Sequence, residues 1–377
     1  MRSKRLALLA AGLGLTLAVS ACGANQEDSP QSNDDQDSGS SSTGEGIPVG
    51  VILPETATSA RWEGFDKPFL EAALKAEGLD PHIENAQGDV QKFATLADGM
   101  INDGVKVLII AAINSELGGT VAQKANAQGI PTIDYDRLNL GGSSDYYVSF
   151  DNVKVGELQG QGLADALKGK PQGAQVIEIE GAPTDNNATL FHNGQQNVLK
   201  PLYDSGKLKL VRSQPIDNWD NQVGGTTFEQ IFTSNGSKVD GVVAANDGLA
   251  GAVITVLKKY KLNGKVPVTG QDATADGLKA ILAGDQYMTV FKPIKEEAEA
   301  TAKLAAALAK GDKAAADGVA TDESDDPTGK RKVKSVLLEP FLITKAEVKR
   351  VIDEGYVKAE EVCTGDLQAA CTELGIS

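Results

Sequence analysis

The sequence predicts an α/β protein of two doubly wound parallel-sheet lobes, and three observations carry that prediction. Short apolar runs such as IPVGVIL (47–53), VKVLIIA (105–111) and GVVAA (241–245) alternate with helical patterns. That is the mark of βαβ units on a sheet buried on both faces. The chain has 377 residues, more than one typical domain, so two lobes are expected. Strand after strand also ends in Asp, Asn, Gln, Arg or Lys, at the edge where open α/β sheets meet their ligands.

Residues 1–22 read as an export signal. Arg2, Lys4 and Arg5 precede an apolar stretch, 6–19, too short to span a bilayer well. Small residues close it at Val19-Ser20-Ala21, and Cys22 follows. The pattern resembles a bacterial lipobox, so lipidation of Cys22 and a membrane anchor through its acyl chains are expected. Residues 23–46 lack basic and large apolar side chains. They cannot bury a core and read as a disordered tether.

From 47 the pattern is strand, helix, strand, helix. The first helix signal starts near Arg61, with Trp62, Phe65, Phe69, Ala72 and Ala73 at helical spacing. Strands follow at 81–84, 105–111 and 131–135, with helices at 91–102 and 117–127. The stretch 131–152, PTIDYDRLNLGGSSDYYVSFDN, holds two strands, each closed by polar residues: Asp136-Arg137 and Asp151-Asn152. A carboxylate beside a guanidinium suits a polyhydroxylated ligand; a structural ion pair and a helix cap fit the same residues. Arg61 could donate to hydroxyls and Trp62 could stack on a sugar's C–H face, although a Trp at a helix start reads first as core.

A helix at 153–167, capped by Asp151 or Asn152, opens the second half. Its Gly160-Gln-Gly162 is no dinucleotide loop, because Asp165 stands where a third Gly belongs and no strand immediately precedes it. Strands are expected at 175–179, 208–213, 241–245, 266–270 and 287–291, with helices near 187–202, 222–233 and 249–260. Asp185, Asn186 and Asn187 exceed what a single cap requires. An Ala-rich helix at 294–308 is expected to pack back on the first lobe. The stretch 311–334, with Asp322, Glu323, Asp325 and Asp326, reads as a solvated loop without calcium-loop spacing. A strand broken by Pro340 is expected over 336–343, and a basic helix over 345–352. Cys363 and Cys371 would lie about 12 Å apart on one unbroken helix. Gly365 can turn the chain back, and in an exported protein the pair favours a disulfide.

Composition removes several classes. A net charge of −16 argues against a nucleic-acid partner. Two histidines, His82 and His192, are too few for a histidine-based metal centre and thin for histidine-centred catalysis. There is no GxSxG elbow, no HExxH and no cofactor loop, so neither a metal nor a cofactor is expected.

The runs YDRLN, YVSFDNVKVGELQ, GAPTDNNATLF, LKPLYDSGKLK, VVAANDGLAGA, TGQDA and MTVFKPI resemble the bacterial D-xylose-binding branch of the type I sugar-binding proteins of ABC transporters. The resemblance spans roughly 49–308. It implies lobes at 47–151 plus 292–333 and at 152–291 plus 334–377, joined by three crossing segments. It implies a monosaccharide held between them, a monomer, and delivery to a membrane permease by the closed form. Its ligand contacts fall on Arg61, Trp62, Asp136, Arg137, Asn186, Asn187, Trp219, Asn246, Asp272 and Lys292. Asp247 follows as an orienting neighbour, and the two Trp would sandwich the ring. The loop 54–60 departs from the family pattern. Two rivals remain: a sugar-processing enzyme using Asp136 and Asp272, and a sensory module that presents bound sugar to a membrane receptor. A related repressor would need a helix-turn-helix where the export signal stands.

Overall fold

A computed structural model of the chain describes residues 46–376. The export signal, Cys22 and all but the last residue of the tether lie outside the described residues. The chain first lays down β1 (Ile47–Leu53), α1 (Lys67–Ala76), β2 (Leu79–Asn85), α2 (Val90–Asn102) and β3 (Val107–Ile110). Then come α3 (Ser115–Ala127), β4 (Thr132–Tyr135) and β5 (Tyr146–Phe150). These strands are parallel in the order β2-β1-β3-β4-β5. β1 shows why its run is apolar on both faces. Val49, Val51 and Leu53 pack with Leu70 and Leu74 of α1, while Ile52 packs with Phe93, Ala97 and Met100 of α2.

The second lobe holds α4 (Asn152–Ala166), β6 (Ala174–Glu180), α5 (Asn186–Asp204), β7 (Leu208–Pro215) and α6 (Asn221–Ser234). It continues with β8 (Gly241–Ala244), α7 (Asp247–Lys259), α8 (Ala275–Ala283) and β9 (Thr289–Phe291). Here β6 lies between β7 and β8, all parallel. The strand expected at 266–270 shrinks to one bridge, Val242 to Val268. Thr269 is the reason: its Oγ1, and not a carbonyl, receives the Ala244 amide at 3.0 Å. Helices α4 and α5 lie so close that a Cβ on Gly156 would come 1.9 Å from the Phe191 carbonyl oxygen. Gly156 and Gly160 of α4 thus serve helix packing.

The chain then returns through α9 (Ile294–Ala309), α10 (Lys313–Val319), β10 (Asp322–Asp326) and β11 (Arg331–Leu338). As expected, α9 buries its alanines, Ala298, Ala302 and Ala305 among them, in the core of the first lobe. Two expectations need correction. The acidic stretch is an edge strand, β10, antiparallel to β11. It is no loose loop, because the Asp326 carboxylate is buried, accepting from the Gly141 and Gly329 amides and pairing with Arg331. And β11 pairs in parallel with β5 as far as Leu338–Phe150. Residues 334–338 therefore belong to the first sheet, and the boundary expected at 333/334 moves beyond Leu338. Only after Pro340 does β12 (Phe341–Ile343) join β9 in the second lobe.

Three segments, near 150–152, 291–294 and 338–341, connect the lobes, the first and third tied by the Asp151 amide on the Leu338 carbonyl at 2.9 Å. The tail adds α11 (Val348–Asp353), α12 (Ala359–Val362) and α13 (Gln368–Glu373). Cys363 and Cys371 form a disulfide with Cα atoms 5.8 Å apart, and Gly365 reverses the chain at φ 53°. Tyr356 packs edge-on against Phe291, Phe69 and Phe65, with ring centres 4.7, 5.4 and 6.2 Å away. Its hydroxyl accepts from the Lys295 amide at 2.7 Å.

Candidate functional site: a polar crevice between the lobes

Strand ends from both lobes open on one crevice. The helix-start residues just beyond those ends act as caps, and two of them, Asp185 and Asn246, also line the crevice. Asn114, Asp151, Asp185, Asp220 and Asn246 each accept a backbone amide of the following helix, a cap worth about 1 kcal/mol. Asn246 Oδ1 takes the Leu249 amide at 2.9 Å, which leaves its Nδ2 for the crevice. The turn after β1 differs. There Arg61 has no side-chain cap, and the chain opens as a π-helical turn, Trp62–Asp66. Such turns are frequent at functional sites. This one brings Asp66 back onto Arg61.

Arg61 is the centre of the first lobe's wall and is 2% exposed. Its Nε and Nη2 donate to the two oxygens of Asp66 at 2.9 and 2.6 Å. Nη1 donates to Asp136 Oδ2 at 2.6 Å, and Nη2 also reaches Glu297 Oε2 at 3.1 Å. A single planar fork therefore serves three buried carboxyls. Burial pushes Asp136 up, but Arg61, Lys292 and Arg137 outweigh it and hold the carboxyl at about 2. Burial drives Glu297 well above the ordinary carboxylate range, with Asp136 adding to the effect and Arg61 opposing it. Asp66 is raised by burial against the pull of Arg61.

Asp136 adopts φ 61°, a left-handed conformation that Asp tolerates better than most residues. Its carbonyl receives three donors: Tyr147 Oη at 2.9 Å, Ser149 Oγ at 2.7 Å and Asn187 Nδ2 at 2.8 Å. The last of these crosses from the second lobe. Two further contacts bridge the lobes: Arg137 Nε lies 3.1 Å from Asp185 Oδ2, and Asn221 Nδ2 donates to the Thr58 carbonyl at 3.2 Å. The lobes are therefore closed on each other.

The second lobe contributes Trp219, Asn246, Gln271 and Asp272, and the 291–294 crossing contributes Lys292. Lys292 Nζ stands 3.2 Å from Asp272 Oδ1 and 3.7 Å from Asp136 Oδ2. Asp272 and Ala273 both have positive φ, 93° and 47°, a local strain of the kind that clusters at ligand sites. Trp219 is seated by Asp185, which accepts its Nε1 at 3.1 Å, and by an edge contact with Phe191. Gly181 makes room for it, since a Cβ there would meet Trp219 Cη2 at 2.2 Å. Gly181→Ala is expected to displace the indole and lower stability by about 1–3 kcal/mol, the usual cost of overpacking. A urea melt and the tryptophan emission maximum will read this. An unchanged spectrum would show that the indole keeps its seat without the space left by Gly181.

Of the residues the sequence singles out, Arg61, Trp62, Asp136, Arg137, Asn187, Trp219, Asn246, Asp272 and Lys292 line this crevice. Asn186 does not. Helix α5 begins there, and one helical step turns it outward into a groove beside Asn114 and Ser115. Asp247 is also turned away. Its carboxylate accepts from Gln286, Thr289 and Thr274, fixing the loop that carries Asp272. Burial, reinforced by Asp272, holds it at about 7 against those hydrogen bonds. The crevice also holds Thr58, Ser59, Asp185, Phe191 and Gln271, which the sequence reading did not assign. Helical spacing could have found Phe191, four residues beyond Asn187. No comparable signal marks Glu297.

Two lobes of parallel sheet, three connections and a buried polar crevice between strand ends define a bilobal solute-binding protein. The chain belongs to the periplasmic binding protein family, whose domain it matches over residues 49–313. It is 39% identical over 317 residues to the D-xylose-binding periplasmic protein of Escherichia coli K12, covering 84% of this chain and 92% of that one. It is 36% identical to the multiple sugar-binding periplasmic receptor ChvE of Rhizobium radiobacter, over 83% and 92% of the two chains. Among solved structures, an ABC transporter solute-binding protein from Clostridium phytofermentans with bound β-D-glucose superimposes with a TM-score of 0.76. It shares 31% identity and covers 84% of this chain and 99% of its own. Among the described residues, no helix is long and apolar enough to cross a membrane.

Proposed function

We propose that this chain is the extracytoplasmic sugar-binding component of an ABC importer, capturing one aldopyranose, xylose foremost, between closing lobes and presenting the closed form to its permease. One observation carries the reading: residues of both lobes that line the crevice hold buried hydrogen-bonding atoms without partners. They are Trp62 Nε1, Gln271 Oε1 and Asp272 Oδ1, the last beside Lys292 but outside hydrogen-bond alignment. An unmet buried polar group is costly, and a ring of hydroxyls can meet all three. Charge supports the same ligand class. Arg61 pairs with Asp136, Arg137 with Asp185 and Lys292 with Asp272, so the wall is balanced and suits a neutral ligand.

The relatives' sugars, D-xylose and β-D-glucose, frame the choice of ligand. Binding without turnover is the reading for the two suspect carboxylates. Asp136, ionised at neutral pH, cannot serve as a general acid there. A lipid anchor at Cys22 and a monomeric state complete the proposal. Calorimetric titration of unlipidated protein with xylose, glucose, galactose, arabinose and ribose tests it. One site per chain with xylose tightest is expected, and the sugar is recovered unchanged. Absence of heat with every sugar, or new sugar products, would sink it.

A further inference from the structure

Behind Trp219, on the far side of Gly181, lies a second cluster that the crevice does not use. Glu178 and Glu180 sit two residues apart on β6 and so point to the same face, where α5 covers them. Both are buried, at 0% and 4% exposure. Their one basic neighbour among the ion pairs is His192 of α5, whose Nδ1 is 3.2 Å from Glu180 Oε1. Neutral donors satisfy only one oxygen of Glu178: Gln196 Nε2 at 3.0 Å and Tyr203 Oη at 2.8 Å both reach Oε1. Glu178 Oε2 is buried without a partner.

A chain of amides exposes a second unmet demand. Gln159 Nε2 donates to the carbonyls of Ala245 and Gly270, which fixes its Oε1 as an acceptor. Gln195 Nε2 donates to that oxygen at 2.9 Å, so Gln195 Oε1 faces Glu180 Oε1 across 2.7 Å. Turning the Gln195 amide over would set oxygen against oxygen at Gln159. Two acceptors at that distance require something positive between or beside them.

We infer that Glu178, Glu180 and His192, with Gln195 Oε1 beside them, form a binding site for a first-row divalent cation. One ligand atom from each of the three lies within 4.8 Å of the others. Two carboxylates with one imidazole is a mixed oxygen–nitrogen set, which suits Zn²⁺ or Mn²⁺ better than Ca²⁺. A cavity of about 210 Å³, lined by Glu180, Thr189, His192 and Ser213, gives access from solvent. The sequence, with two histidines, gives no expectation of a metal; here one histidine suffices because the strand supplies two carboxylates. A cation bound here would tie β6 to α5, the helix that sends Asn187 into the crevice.

The test is calorimetric titration of the untagged, EDTA-stripped full chain with Zn²⁺, Mn²⁺ and Ca²⁺ separately, without sugar. One Zn²⁺ or Mn²⁺ per chain is expected, with a higher melting temperature that EDTA reverses. Glu178→Gln, which keeps the side-chain shape, and His192→Ala should each weaken binding at least tenfold. His82→Ala, at the exposed second histidine, should leave it unchanged. No binding by wild-type protein, tighter binding of Ca²⁺ than of Zn²⁺ and Mn²⁺, or equal affinity in the Glu178 and His192 variants would overturn the assignment and leave a proton as the positive charge between the acceptors.

Discussion

Arg61→Met is expected to destabilise the protein by about 3–5 kcal/mol, the usual cost of breaking a buried ion pair from one side, and to abolish sugar binding. The methionine would fill much of the volume but leave Asp66, Asp136 and Glu297 without the cation they share. Tyr135 Oη would still donate to Asp66 at 2.8 Å, and Lys292 would still stand near Asp136, so collapse need not be complete. Arg61→Lys should recover only part of the loss, because an ammonium cannot supply the planar fork that holds both Asp66 oxygens. Urea denaturation and calorimetry read the two effects separately. A loss under about 1 kcal/mol, with normal sugar affinity, would show that the three carboxyls are not organised by this guanidinium.

The second large effect separates binding from folding. Asp272→Asn keeps the side chain's shape and a residue type that accepts the left-handed backbone at φ 93°. The carboxylate's one ion-pair partner is Lys292, and its Oδ1 makes no hydrogen bond, so little of the fold hangs on its charge. Sugar affinity is expected to fall about tenfold to a hundredfold, equivalent to losing one charged hydrogen bond of roughly 1.5–3 kcal/mol. The melting temperature should move little. Titration calorimetry with xylose is the measurement, and unchanged affinity would remove Asp272 from the contact set.

Much of the fold could be read along the chain because parallel strands buried on both faces leave uninterrupted apolar runs, as β1 and β3 do. The site was legible for a related reason: polar residues collect at the carboxyl ends of the strands, some as caps (Asp151, Asp220), some as crevice lining (Asp136, Asp272), and Asn246 as both. What stayed hidden depends on three-dimensional pairing. Residues 334–338, Lys-Ser-Val-Leu-Leu, fit a strand of either lobe, and only hydrogen bonding to β5 assigns them to the first lobe. Asn186 and Asn187 are alike in type, and a single helical step decides which faces inward. Glu297 looks like a surface residue of a charged helix end. Its burial against Arg61, 236 positions earlier in the chain, has no local trace.

Tyr356 has a bearing on how the lobes part. Its ring touches Phe65 and Phe69 of the first lobe and Phe291 beside a crossing segment, while Asn221 meets Thr58 at the crevice mouth. A rigid swing about the crossings would act as a lever with its fulcrum beside this aromatic knot. Displacement would be small at Tyr356 and grow toward the Asn221–Thr58 lip, so entry and exit of cargo would be gated at the rim while the base stays packed.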